Sequence, residues 1–125
     1  MRSPVAGGGR GELEALRAAH RRRLGEALAR VREVLPGLPG VRRVSLFGSA
    51  ARGRADLLTD LDVLVVRETG EPFVERHASL YRELALPVDL DLICYTPEEF
   101  AAMRERPFLR GILREEVVIY EAHPG

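Results

Sequence analysis

Apolar residues recur along the first third of the chain at a helical spacing. Leu13, Leu16, Leu24, Leu28, Val31 and Leu35 fall near a period of about 3.6 residues, with Arg and Glu between them. This predicts an amphipathic helix from Gly11 to Leu35. Pro36-Gly37-Leu38-Pro39-Gly40 stops it, because proline cannot continue a helix and glycine permits the turn. Val41 to Phe47 is short and rich in β-formers, a strand. Gly48 to Thr59 holds Gly, Ser, Ala and Arg, a loop with room for a helical turn. Asp60 to Arg67 is almost continuously apolar after its carboxylates, as a buried strand is. Pro72 opens a helix to about Leu86, and Val88 to Tyr95 reads as a third strand. Thr96-Pro97-Glu98-Glu99 has the residues of a capping box, so a helix starts there and runs to about Arg106. A short helix over 108–114 and a last strand over 117–120 complete the order. The expected fold class is α/β (or α+β), a small mixed β-sheet flanked by helices.

Composition narrows what such a fold can do. The 125 residues are 46% hydrophobic and 30% charged, which suits one packed domain. That domain is expected over 11–125, behind a Gly-rich flexible tail at 1–10. Nineteen basic residues balance 19 acidic ones, so bulk attraction to nucleic acid is not expected. The single cysteine, Cys94, excludes an intrachain disulfide and a multi-cysteine metal centre. No apolar run approaches the roughly 20 residues that span a bilayer, and the first residues lack the apolar core of a signal peptide. No membrane association is expected, and the expected location is the cytoplasm. All 19 basic residues are Arg, and Asn and Gln are absent, a composition that fits a thermophile.

Aspartate is the residue whose distribution carries chemistry. The chain has only five: Asp56, Asp60, Asp62, Asp89 and Asp91. Side chains alternate along a strand, so Asp60 and Asp62 share one face, and Asp89 and Asp91 repeat the pattern on the third strand. A half-exposed strand with a polar face would show the same alternation. Two such pairs in a chain with one other Asp favour a site where clustered carboxylates meet a hard divalent cation. Mg²⁺ is commonly held by one or two carboxylates together with substrate phosphates.

Upstream lies Phe47-Gly48-Ser49-Ala50-Ala51-Arg52. Gly48 lets backbone approach a ligand closely, Ser49 offers a hydroxyl and an N–H at the start of a helical turn, and Arg52 lies one turn on. A plain strand-to-helix turn would read the same if it stood alone. Gly48-Ser49, ten intervening residues, then Asp60-Leu61-Asp62 is a layout for nucleotidyl transfer, in which metal bridges carboxylates and triphosphate while a hydroxyl attacks the α-phosphorus. A Walker A loop is excluded, since it needs lysine.

The stretch SLFGSAARGRADLLTDLDVLVV resembles the signature of the DNA polymerase beta-like nucleotidyltransferase superfamily, and more narrowly that of the minimal nucleotidyltransferases of bacteria and archaea. The resemblance runs from Val41 to Tyr120 and takes in the closing ILREEVVIYE at 112–121. It implies the nucleotidyltransferase fold, with Gly48 and Ser49 holding the phosphates of ATP and Asp60 and Asp62 binding Mg²⁺, as two ions. Arg52 falls on the Arg of GSxARG, with a role in triphosphate contact or loop structure. Thr59 stands where many members have Ser. The third carboxylate, metal ligand or base, is expected on VDLDL. Asp91 fits better by its distance from the Thr96–Glu99 segment, and Asp89 is the competing choice.

Larger members carry an added helical domain that shapes an acceptor pocket. Only about 30 residues follow the third acidic strand here, so the acceptor is expected to be held by a partner surface or a second copy, or to be a protein itself. Minimal nucleotidyltransferases are similar to antitoxins that transfer AMP from ATP to HEPN-domain ribonuclease toxins. The resemblance thus implies a protein adenylyltransferase whose catalytic residues are Asp60, Asp62 and Asp91 and whose partner has a HEPN domain, with a homo-oligomer as a further option. The alternative is a non-catalytic nucleotide-binding subunit that neutralises its partner by contact. A third reading is small-molecule modification, as by aminoglycoside nucleotidyltransferases, against which the expected lack of an acceptor domain argues.

The remaining polar and aromatic residues read as structural. The run His20 to Arg23 is a solvated helix face. His77 and His123 have no spacing partner for zinc. Cys94 is a small core residue, Tyr81, Tyr95 and Tyr120 pack with a polar tip, and Phe73, Leu80 and Leu84 are expected in the core.

Overall fold

The computed structural model describes residues 8–52, 61–86 and 90–123. Helix α1 (Gly8–Val34) begins earlier than the apolar period indicated, and residues 1–7 of the expected tail lie outside the described residues. Leu24, Ala27 and Val31 are buried, on one stripe of the helix, and Leu35 continues it within a 3₁₀ turn at Leu35–Gly37. Leu13 and Leu16 are exposed, as are Arg21, Arg22 and Arg23. The period identified the helix but overstated its buried face, because only the C-terminal half of α1 meets the body of the protein.

Strand β1 (Val41–Phe47) follows Gly40, whose φ of +81° lets its carbonyl accept the Glu68 N–H at 2.8 Å. A single helical turn, α2 (Gly48–Ala51), leaves the end of β1. β2 (Leu61–Arg67), α3 (Phe73–Leu84) and β3 (Leu90–Tyr95) form a crossover unit. Helices α4 (Pro97–Met103) and α5 (Pro107–Glu115) then lead into β4 (Val117–Glu121). The strand order is β3-β2-β1-β4, with β2 parallel to β3 and β1 antiparallel to both of its neighbours. The sheet is therefore mixed and flanked by helices, in accord with the expected class.

Alternation along the strands builds two apolar layers. Val44, Leu46, Leu61, Val63, Val65, Leu92 and Cys94 face α1 and α3, whose Val31, Leu80 and Leu84 are fully buried against them. Leu64, Phe47, Ile93 and Tyr95 face the other way, toward Phe100 and Met103 of α4 and Leu109 and Ile112 of α5. Burying each of these Leu or Val side chains stabilises the fold by about 1.5–3 kcal/mol. Arg30 joins the first layer at its rim, donating from Nε to the Leu84 carbonyl at 2.9 Å and satisfying an end carbonyl of α3.

The buried stripe of α3 is Arg76, Leu80 and Leu84, whereas Phe73, expected in the core, is 51% exposed. Arg76 tolerates burial because each of its three guanidinium nitrogens has a partner: Nε on Glu71 O (3.2 Å), Nη1 on Cys94 O (3.2 Å) and Glu99 Oε1 (2.6 Å), and Nη2 on Glu99 Oε2 (3.4 Å). The next turns of α3 cover the outer edge of β3. His77 Nε2 accepts the Cys94 N–H (3.0 Å), which leaves Nδ1–H to donate to Phe73 O (2.6 Å). The Tyr81 hydroxyl accepts from Leu92 N–H (3.2 Å) and donates to Leu90 O (3.0 Å). The match is geometric. Four helical residues rise about 6 Å, and two strand residues about 6.6 Å. An edge that would otherwise recruit another strand is closed by side chains.

Helix ends follow local rules. Pro72 is the N-cap of α3, not a first-turn residue, and Ala85 ends the helix in the left-handed region (φ 44°). Thr96 accepts the Glu99 N–H and Glu99 accepts the Thr96 N–H, the capping box read from sequence. α4 stops at Met103, short of Arg106, because Arg106 precedes Pro107 and takes an extended conformation (ψ 152°).

Glu99 thus serves the capping box and Arg76 together. The Arg76 hydrogen bond, then the Thr96 N–H, holds its carboxyl below the ordinary range. Its ionised form stabilises the fold fully above the unfolded value, about pH 4.3, and this is lost as pH falls through the lower folded value. Glu99→Gln should lower stability at pH 7 by about 1–2 kcal/mol, a figure reduced for the carboxylate's partial exposure. Urea denaturation at pH 7 and pH 3 should show the gap between variant and wild type closing at the acid value.

Candidate active site

The parallel register of β2 and β3 sets Asp62 directly beside Asp91. Both alternate with core residues of the α1/α3 layer, so both project on the α4/α5 side, at the end of the sheet where β1 finishes with Phe47. Neighbouring strands lie about 4.8 Å apart, so two carboxylates share one small region. They line an open pocket of about 290 Å³ together with Phe47, Tyr81, Leu92, Ile93 and Phe108. A second pocket of about 270 Å³, at the other end of the sheet, gathers Arg42, Arg43 and Arg104 around Phe100. There Arg42 pairs with Glu68, and Arg43 with Glu116 and Glu121, so its charge is largely offset within the protein.

The Gly48–Ser49 turn abuts the acidic pair. Gly48 has φ +72°, and a β-carbon there would overlap Asp62 Oδ2 and lie 3.1 Å from Asp62 Cγ. Only glycine permits this approach with that backbone. Ser49 follows as the second residue of α2, half-buried. The two motifs separated by ten residues in the chain therefore touch in space. Arg52 ends the turn in an ion pair with Glu115, Nη1 to Oε2 at 2.7 Å, and the other Glu115 oxygen accepts the Gly48 N–H at 3.2 Å.

Asp60, Asp56 and Asp89 lie outside the described residues. Of the two choices for the third carboxylate, Asp91 is the described one, exposed on the pocket. Among the described residues, no group of three side chains able to hold a metal is gathered. The two that meet, Asp62 and Asp91, are hard oxygen donors beside an open pocket, a donor set that suits Mg²⁺ or Mn²⁺ and not zinc or copper.

Sequence reasoning passed over several residues of this site. Phe108 is 61% exposed at the start of α5 and lines the pocket, a large apolar ring in water. Tyr81, read as a packing residue, lines the same pocket while its hydroxyl bridges the peptide groups on either side of Asp91. Glu115 lies within the ILREEVVIYE segment that the resemblance takes in, but as one Glu among 14 it was given no role. Cys94 is fully buried, and burial pushes its thiol up to about 11, so it is protonated and inert at neutral pH.

Fold and site together define a small α/β domain with an acidic pair set beside a glycine turn. The profile of the nucleotidyltransferase domain family matches residues 28–121, most of the chain, and the chain belongs to that family. Its reaction class is nucleotidyl transfer. A crystal structure from Sulfolobus solfataricus, described as a candidate nucleotidyltransferase, shares the fold with a TM-score of 0.53, at 19% identity over 90% of each chain. A structure of a mutant of the toxin-antitoxin pair MntA-HpeT aligns with a TM-score of 0.49 and 16% identity, over 79% of this chain and 72% of that one. No curated protein sequence matches the chain. Among the described residues, no helix is long and apolar enough to cross a membrane.

Gly48→Ala tests the close approach. It should destabilise the fold by about 1–2 kcal/mol through its positive φ and displace Asp62, cutting nucleotidyl transfer by about a hundredfold. Ser49→Ala should leave stability within about 0.5 kcal/mol. Denaturation midpoints and transfer assays on the two variants separate strain from chemistry.

Proposed function

We propose that this protein is a Mg²⁺-dependent adenylyltransferase that moves AMP from ATP to a hydroxyl of a partner protein. The observation that carries the reading is the in-register Asp62–Asp91 pair, facing a pocket beside the Gly48–Ser49 turn. Asp62 and Asp91 would hold the divalent ion, joined by Asp60, the other carboxylate of the Asp60-Leu61-Asp62 motif. The bound ion supplies neutralisation of the triphosphate charge. Gly48 and Ser49 receive the phosphates, with Arg52 at the end of the turn. Asp91, the exposed member of the pair, accepts the proton as the acceptor oxygen bonds to the α-phosphorus and the α–β bridge breaks, releasing pyrophosphate.

The acceptor side supports a protein substrate. Phe108 and Tyr81 form an apolar lip on an open pocket, the kind of surface a side-chain hydroxyl can reach when presented by a partner. The resemblance to minimal nucleotidyltransferases supports a HEPN-domain toxin as that partner and an antitoxin role for this chain, acting in the cytoplasm as one domain over 11–125.

The test is incorporation of label from α-³²P-ATP into a co-purified partner protein, with Mg²⁺ and after chelation. Transfer is expected with wild type and absent from Asp60→Ala/Asp62→Ala and from chelated samples. Equal labelling in the double variant would overturn the assignment. A double variant that still neutralises the partner, beside a wild type that incorporates no label, would favour the contact-only subunit.

A further inference from the structure

We propose that Glu115 is a positioning residue for nucleotide binding, one whose carboxylate sets the Gly48–Ser49 turn and the Arg52 guanidinium for the triphosphate; this rests on reading that turn as the phosphate site. Helix α2 has four residues, too few to hold its own shape in water. Its closing bonds run from Arg52 N–H to Gly48 O (3.2 Å) and Ser49 O (3.1 Å). What fixes the turn must come from outside it. On one side is Asp62, against which Gly48 is pressed. On the other is Glu115, whose two oxygens take the Gly48 N–H (3.2 Å) and Arg52 Nη1 (2.7 Å). One carboxylate thereby ties the first residue of the turn to the residue that follows its last.

The pairing orients Arg52 without exhausting it. A guanidinium carries five N–H donors, and the contact with Glu115 uses one. The Arg52 side chain is about half exposed, 48%, so without a partner it would lose rotamer freedom on meeting an anion. Held by Glu115, that ordering precedes binding. The neighbouring Glu116 is committed elsewhere, to Arg43, so it cannot substitute. Glu115 also closes the helix that begins at Pro107 and brings Phe108 to the pocket. A single rigid element therefore joins the phosphate turn to the pocket wall.

A carboxylate near a triphosphate could instead act as a competitor, and the two roles predict opposite signs. The probe is MgATP, with KM and kcat from the transfer assay and Kd from calorimetry on the full chain. Glu115→Ala should raise KM and Kd about tenfold with kcat within about twofold, as expected for loss of one charge-assisted contact. Glu115→Gln, which keeps an acceptor for the Gly48 N–H, should recover part of the loss. In an Arg52→Ala background the effect of Glu115→Ala should shrink, because Glu115 acts in part through Arg52. Unchanged or tighter MgATP binding by Glu115→Ala overturns the proposal while leaving the phosphate site intact. Wild type that binds no MgATP overturns the reading of the turn, and the proposal with it. If the Ala variant fails to fold, a Gln variant with wild-type KM overturns the proposal on its own.

Discussion

Two carboxylates held side by side by a parallel strand pair are the constraint around which the rest of the molecule is arranged. Asp62 and Asp91 are register partners on one face of β2 and β3. Like charges opposed across a sheet are unfavourable, and a fold keeps them only where something offsets the repulsion. Here they stand at an open end of the sheet, on a pocket open to solvent. One residue inward on the same face, Leu64 and Ile93 already belong to the α4/α5 layer. The boundary between chemistry and core is thus a single strand step.

The surrounding helices act mainly by fixing backbone. Tyr81 and His77 occupy the outer edge of β3, and the Tyr81 hydroxyl bonds the peptide groups that flank Asp91. Arg76, buried under β3, joins its carbonyl at Cys94 to Glu99 of α4. α5 spans the same end of the sheet, from Phe108 beside Asp91 to Glu115 at the end of β1. A site on strand ends gains precision when strands, crossover helix and returning helix are bonded to one another.

Arginine, the only basic residue type besides histidine, takes structural roles in several places. Arg30 caps α3, Arg76 ties α3 to α4, and Arg43 joins β1 to Glu116 and Glu121. Planar, multidentate guanidinium suits such cross-links better than lysine would. The zero net charge is therefore distributed in part as pairs that hold elements together.

Much of this was legible in the amino-acid sequence because it depends on near neighbours. The capping box at Thr96 and Glu99, the stop at Pro36–Gly40, the alternation of Asp62 with core residues and the turn at Gly48 are local consequences of residue type. Tertiary structure alone decided the rest. Which half of α1 is buried, why Arg76 and not Phe73 faces the core, which Glu meets the Gly48 turn, and that Asp62 stands beside Asp91 all depend on contacts between residues far apart in the chain. Period and composition describe what a segment can present; the partner it meets is set only when the strands take their order and the helices cross them.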